Sequence, residues 1–479
     1  MNKLMICRVL GLILLILAGL LLLPVLAGLW WHEQVWHFLV TAALCAVLGA
    51  LCLIPRPRSR VLYAREGFVI VGLGWVLLCL LGALPYMLGG ALPNYVDALF
   101  ETASGLTTTG STVVTDIEGL SHADAFWRLF THWIGGMGVL VFVIAVLPMS
   151  GEHSMHILRA EVPGPTVGKL VPRLRKTALI LYLLYIALTL LETVLLTLGG
   201  LSFYEALLHA FSTAGTGGFS TRAASVGAFD SLYLELVISV FMLLFGINFN
   251  LYFLLLIGHW RDALKNEELH WYAAIVTVSV LLLAWGIRPI YGSTGTALRH
   301  ALFNTAAIIS TTGFGTVDFT TWPEYCKWIL ILLMFCGGCA GSTGGGLKLS
   351  RLMILFKSMF TSLRQMVHPR SVTRVQLDGR RVEAATVRAA AIFVSFYMTL
   401  LLLFSLLISL DGCDQSTAFT ASLSCLSNIG PGMTAAIGPA GNFAFFSDRA
   451  KLLLSLAMLL GRLEIYPLLI LFLPSTWRK

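Results

Sequence analysis

Charged side chains are scarce in this chain. Asp, Glu, Lys and Arg make up 12% of its 479 residues, against 57% hydrophobic residues and a mean hydropathy of +0.85. A soluble domain carries roughly a quarter charged residues, so this composition excludes a water-soluble globule and places the chain in a bilayer. Cysteine chemistry is also missing. The nine cysteines are scattered. Cys336-Gly337-Gly338-Cys339 has CxxC spacing but lies in an apolar stretch with no second pair and no nearby histidine, as small packing residues do. No nucleophile–base pair or metal set is apparent, which leaves an intramembrane enzyme without machinery. A phosphate loop is excluded too, because Leu347 follows Gly346 where such a loop needs lysine.

What is present is long apolar sequence. Ten stretches are long enough to span a bilayer as helices: 9–29, 36–54, 68–89, 127–149, 177–200, 231–257, 271–288, 325–347, 389–410 and 450–474. Backbone polar groups in lipid must be paired within the segment, which favours helix. With both termini on the inside, the inner segments 55–67, 150–176, 258–270 and 348–388 together with the termini hold 24 of 32 Lys/Arg but 8 of 24 Asp/Glu. The rest carries 8 basic and 16 acidic residues, so the net charges are +16 inside and −8 elsewhere, summing to +8. This asymmetry follows the positive-inside rule, and the basic character therefore reports topology rather than nucleic-acid binding. Residues 1–29 mimic a signal peptide ending at Val25-Leu26-Ala27, but removing them breaks the charge alternation; a retained helix is expected.

A cassette recurs between the apolar stretches. An alanine is followed twelve residues later by a glycine at Ala98/Gly110, Ala206/Gly218, Ala301/Gly313 and Ala418/Gly430. Each glycine sits in a small polar loop: Thr108-Thr109-Gly110, Thr216-Gly217-Gly218, Thr311-Thr312-Gly313 and Asn428-Ile429-Gly430. Each loop follows a stretch able to form a helix of ten to twelve residues, about half a bilayer long. After two leading helices at 1–54, the pattern predicts four helix–loop–helix repeats at 68–149, 177–258, 271–350 and 389–474, with a basic cytoplasmic linker at 351–388 before the last. The expected fold is an all-α polytopic membrane protein with pseudo-fourfold repeats around a pore. A short helix aimed at the axis presents its negative dipole end to a cation, and glycine lets successive carbonyls turn inward.

These loops resemble those of the Trk/Ktr/HKT superfamily of potassium transporters, closest to the bacterial Trk-type membrane subunit. The resemblance rests on residues 100–112 (FETASGLTTTGST), 211–221 (FSTAGTGGFST), 310–316 (STTGFGT) and 427–433 (SNIGPGM), and extends over essentially the whole chain, including the two leading helices. It implies that main-chain carbonyls of the four tripeptides replace the hydration shell of K⁺. In some plant relatives serine in the first loop accompanies Na⁺ transport, so Gly110 points to K⁺. The second loop has one threonine and the fourth none, less uniform than the TVGYG of tetrameric channels. The resemblance also implies a bacterial inner-membrane location, a homodimer with one pore per subunit, and a cytosolic nucleotide-binding regulatory subunit docked on the basic segment 348–388. Anionic lipid is the other candidate for that segment.

Six glycines crowd 337–346: Gly337, Gly338, Gly341, Gly344, Gly345 and Gly346. That density predicts a broken helix, and the resemblance implies a gating loop beneath the filter. Arg462, in mid-span, corresponds to an arginine projecting into the pore; Glu464, two residues on, faces elsewhere. Glu192 is expected to bond a neighbouring backbone group. His132, His209 and His300 are expected to be satisfied structural groups. Asp97, Glu101, Asp116, Glu118 and Asp124 accompany the first cassette without a basic residue and are expected to concentrate cations at the mouth. The alternative is an ion-coupled (Na⁺ or H⁺) secondary transporter with alternating access. It calls for inverted repeats and a charged midplane site, whereas these cassettes share one orientation and neutral loops.

Overall fold

The computed structural model describes residues 1–55, 63–138, 174–370 and 374–477. Two leading helical segments, Lys3–Leu20 continued by Leu22–Trp30 and then Trp36–Leu53, form an antiparallel hairpin. They pack closely because both carry glycine at the crossing: a methyl on Gly11 would lie 2.8 Å from the Gly49 carbonyl. Small residues are the means of close helix packing in lipid, where apolar burial alone gives no gain. The turn of this hairpin is pinned to the first repeat. Glu33 accepts hydrogen bonds from the His122 backbone (2.9 Å), the His122 ring (2.7 Å) and the Ala123 backbone (3.1 Å). Trp31 stacks on the His122 ring at 4.3 Å.

Four cassette helices follow: Tyr95–Leu106, Phe203–Gly215, Thr294–Ile309 and Gln415–Ser427. Their lengths are 12, 13, 16 and 13 residues, so three exceed the expected ten to twelve. Asn94, Ser202 and Asp414 cap three of them by accepting from a first-turn N–H. Their inner turns are buried on every side although rich in Ser and Thr. Some of those hydroxyls donate one turn back, as Thr102 does to Ala98 and Thr213 to His209, both at 2.8 Å, whereas Ser104, Ser212, Thr305, Ser422 and Ser424 find no partner among the described residues.

The helix before each cassette is long: Ala64–Gly82 with Leu84–Gly89, Leu174–Leu198, Glu267–Tyr291 and Ala384–Ser409. The helix after it is broken. In the second repeat Leu232–Phe245 meets Phe249–Leu256 at a 90° bend. In the third, Glu324–Cys336 and Leu349–Val367 flank the glycine segment. In the fourth, Asp448–Arg462 gives way to Tyr466–Phe472, with Glu464 and Ile465 at φ 53° and 67°. In the first, the helix His122–Gly136 ends early, and residues 139–149 lie outside the described residues, as does most of 150–176. The continuous spans expected at 231–257 and 450–474 are therefore corrected to broken ones. Asn248 restarts its helix by accepting from Asn250 N–H at 2.9 Å. The basic linker contains a hairpin in which Gln376–Leu377 pairs with Arg380–Arg381.

Candidate functional site

The four cassette helices end identically. At positions 108, 216, 311 and 428 the backbone enters the left-handed region, at φ 55°, 55°, 63° and 57°. The N–H of that residue bonds three residues back, to Gly105, Thr213, Ile308 and Cys425. The next N–H bonds five residues back, to Ser104, Ser212, Ala307 and Ser424, at 2.8–3.0 Å. This pair of bonds closes a helix C-terminus and normally uses glycine at the left-handed position. Three threonines and one asparagine occupy it here. A β-branched residue there costs about 1–3 kcal/mol, strain that persists only where the surroundings over-determine the backbone. Two residues on, Gly110, Gly218, Gly313 and Gly430 return to positive φ at 83°, 83°, 79° and 107°.

These glycines close a ring. A methyl on Gly110 would lie 2.0 Å from the Gly217 carbonyl oxygen, on Gly218 2.1 Å from that of Thr312, and on Gly313 1.8 Å from that of Ile429. The fourth contact returns to the start: a methyl on Gly430 would lie 2.8 Å from the Thr109 carbonyl oxygen. Each repeat thus abuts the next in cyclic order, and the four loops converge on one axis. Their inward N–H bonds leave the carbonyls over. Of the twelve carbonyls in the four tripeptides, that of Gly430 accepts from Ser111 Oγ at 3.0 Å, and the others accept no hydrogen bond among the described residues. A cavity of about 160 Å³, lined in part by Gly110, Gly218, Gly313 and Gly430, opens at one end of the ring.

Buried side chains brace the loops. Glu101 accepts from Arg128 Nε at 2.7 Å, from Thr112 Oγ at 2.9 Å and from Val113 N–H at 2.9 Å. Arg128 also donates to the Ser220 carbonyl at 2.9 Å and lies 3.7 Å above the Phe219 ring, so one ion pair joins the first two loops. His132 Nδ1 meets the Gly105 carbonyl at 2.9 Å while Nε2 accepts from Phe219 N–H at 3.2 Å. With Nε2 an acceptor, the proton sits on Nδ1 and the ring is neutral. His209 is likewise held between the Glu205 carbonyl and Ser220 Oγ, and His300 has Thr316 Oγ at 3.3 Å.

The glycine segment lies against the opposite end of the ring from the cavity. Gly345 N–H donates to Thr311 Oγ at 2.7 Å, and methyls on Gly344 and Gly345 would lie 2.8 and 2.5 Å from the carbonyls of Ser310 and Ser427. Gly337, Gly341 and Gly346 have positive φ. Methyls on Gly337 and Gly338 would lie 2.8 Å from the Gly345 carbonyl and from Ser342 Oγ. Backbone groups freed by the broken helix of the second repeat receive the segment: Cys339 N–H donates to the Gly246 carbonyl at 2.9 Å, and Phe249 N–H donates to the Gly341 carbonyl at 3.0 Å. Irregular backbone is tolerated at membrane depth where protein satisfies it in this way. Arg462 donates to the carbonyls of Thr343 (2.7 Å), Gly136 (2.9 Å) and Gly135, tying segment and first repeat together. Lys348, buried at the end of the break, donates to the Gly344 carbonyl.

Some expectations give way. Asp97 pairs with Lys451 at 2.6 Å, Glu101 with Arg128, and Asp124 lies 3.6 Å from His37. Lys451 from the last repeat and Arg128 from the first thus neutralise Asp97 and Glu101, and only Asp116 and Glu118 of the five acids are exposed. Glu192 is fully buried beside Thr213, and neither carboxyl oxygen meets a backbone donor among the described residues. Glu464, read as no partner for Arg462, pairs with Arg351 at 2.6 Å. Sequence reasoning passed over Glu268, whose signal was a carboxylate at the very start of a long apolar helix.

The chain matches the TrkH family of cation transport proteins over residues 35–291 and 291–479. It is 38% identical to the Trk system potassium uptake protein TrkH of Salmonella typhimurium, with 99% of each chain covered. It is 37% identical to the TrkH of Halomonas elongata, with 100% of each covered. The crystal structure of the potassium transporter TrkH from Vibrio parahaemolyticus superposes with a TM-score of 0.90 at 35% identity, covering 100% of both chains. The repeats, the ring they close and these likenesses along the full chain agree: the protein belongs to the TrkH family of cation transport proteins.

Proposed function

We propose that this protein takes up K⁺ across a bacterial inner membrane, through a selectivity filter of main-chain carbonyls from residues 108–110, 216–218, 311–313 and 428–430. The observation that carries this reading is the closed ring of four loops whose carbonyls are nearly all left without protein donors. A carbonyl ring can stand in for the hydration shell of a monovalent cation without any side-chain charge. The close relatives are named as potassium uptake proteins, which supports the choice of ion.

The glycine segment 337–346 and Arg462 act as the gate. Their position at the inner end of the ring supports this, since an ion leaving the filter there meets a guanidinium and a plug of backbone. A cytosolic nucleotide-binding subunit relieves the block, and the functional unit is a homodimer with both termini in the cytoplasm. Transport is not enzymatic, and K⁺ is cargo held transiently in the filter.

The test is growth of a K⁺-uptake-deficient bacterium at low K⁺, paired with Rb⁺ and Na⁺ uptake into liposomes holding the purified chain. Rescue together with Rb⁺ uptake in excess of Na⁺ supports the filter. Neither rescue nor Rb⁺ uptake, with or without the regulatory subunit, overturns it. For the gate, Arg462→Ala or deletion of several glycines from 337–346 is expected to raise flux without the subunit. Flux that stays fully dependent on the subunit places the barrier elsewhere.

A further inference from the structure

One carboxyl group bridges the glycine segment and the helix that follows it. Glu268 is buried at the second residue of the helix Glu267–Tyr291. Its Oε1 accepts from Ala340 N–H at 2.8 Å and from Ser350 N–H at 3.0 Å. Ala340 lies within the break between Cys336 and Leu349 and Ser350 just beyond it, so a single oxygen ties the segment to the start of the helix that follows. Both hydrogen bonds are out of water, so losing the acceptor leaves two buried N–H groups unsatisfied.

The start of that helix is itself held from the cytoplasmic side. Asp378 accepts from Glu267 N–H at 2.7 Å and from Asn266 Nδ2 at 3.1 Å. Asn266 in turn caps the helix by accepting from Leu269 N–H at 3.0 Å. Asp378 and Gly379 form the two-residue turn of the hairpin, both at positive φ, the backbone that a tight hairpin demands. Lys357, on the helix that leaves the glycine segment, bonds the Glu267 carboxylate and the Gln376 carbonyl at 2.8 Å. The hairpin is exposed, while Glu268 is not. An unbroken chain of contacts therefore runs from an accessible cytoplasmic turn to the buried segment and, through Gly345, to Thr311 in the ring.

We propose that Glu268 is the positioning residue that holds the glycine segment closed, and that the Asp378 hairpin is the handle through which the cytoplasmic side releases it. This rests on reading the segment as the gate. Lifting the hairpin removes two of the bonds that orient residues 266–267. Glu268 then shifts, and Ala340 and Ser350 are freed together rather than one at a time.

The experiment uses the full-length chain in liposomes without regulatory subunit, with Rb⁺ as the probe. A second readout is maleimide labelling of Cys339, which is buried in the segment, in a background where every other cysteine is serine. Glu268→Ala and Asp378→Ala are each expected to raise Rb⁺ uptake and Cys339 labelling roughly tenfold, the scale of losing one or two buried hydrogen bonds. Glu268→Gln keeps an acceptor oxygen and is expected to stay within about twofold of the parent on both readouts. Unchanged labelling and uptake in Asp378→Ala, a surface variant that does not threaten folding, overturns the handle. A Glu268→Gln protein as leaky as Glu268→Ala overturns the hydrogen-bond clamp. Arg462→Ala separates the two levels. If it conducts while the Glu268 and Asp378 variants stay silent, this inference fails and the gate stands; if it too is silent, the gate reading itself fails.

Discussion

Asn428 Nδ2 donates to Thr109 Oγ at 3.0 Å, joining the last cassette to the first. The same nitrogen donates to the Met458 carbonyl at 2.9 Å, and Ser111 Oγ crosses in the other direction to the Gly430 carbonyl. The contact between fourth and first repeats is sterically the loosest of the four, and side-chain hydrogen bonds do there what close backbone packing does elsewhere. Asn428→Ala removes the donor shared by Thr109 Oγ and the Met458 carbonyl and is expected to cost about 1–3 kcal/mol. Thermal denaturation in detergent should register the loss, and Rb⁺ over Na⁺ uptake in liposomes should fall with it.

Adding a methyl or hydroxymethyl to the ring glycines tests that ordering. At Gly110, Gly218 and Gly313 the new Cβ meets a neighbouring carbonyl at 1.8–2.1 Å, which forces that carbonyl off the axis. At Gly430 the distance is 2.8 Å. Alanine at the first three positions is therefore expected to lower Rb⁺ over Na⁺ discrimination more than alanine at Gly430. Gly110→Ser is expected to behave as the first group does. Equal discrimination in all four variants would show that ring sterics do not set selectivity.

The Glu101–Arg128 pair predicts an asymmetry between single and double variants. Both side chains are essentially fully buried, so removing one leaves an uncompensated charge, at about 3–5 kcal/mol. Arg128→Met and Glu101→Gln should each lower the melting temperature sharply. The double variant should be less destabilised than the sum of the two. Additive losses in that cycle would mean the two groups act separately.

Glu33 gives the leading hairpin a pH dependence. Burial raises its carboxyl, but donors from the His122 backbone and ring and from Ala123 outweigh that and hold it below the ordinary 4.5. A depressed folded value stabilises above the unfolded value and is lost as pH falls through the folded one. The link between the leading hairpin and the first repeat is therefore expected to weaken below about pH 4.5, where the unfolded carboxyl begins to take up its proton. Glu33→Gln should flatten the melting temperature between pH 6 and pH 4 relative to the parent.

The cassettes were legible because their spacing reflects a backbone requirement: Gly110, Gly218, Gly313 and Gly430 sit where a side chain has no room. The broken helices at Gly246–Asn248 and Leu463–Ile465 were not, because apolar composition continues across them and the breaks are satisfied by groups from other repeats. The ion pairs were hidden for the same reason. Lys451 neutralises Asp97 from the far end of the chain, and nothing local to the first cassette announces it. The glycine segment was visible from its composition, whereas Glu268, which holds it, carries its meaning only in three dimensions.

The cyclic order of the ring has a bearing on synthesis. Because the contact that completes the circle lies between Gly430 and Thr109, a nascent chain that has inserted three repeats still lacks one wall. No intermediate on the ribosome can close the ring. The circle is completed only when the fourth repeat has entered the bilayer, by which time residues 337–346, which abut the ring, have already been made.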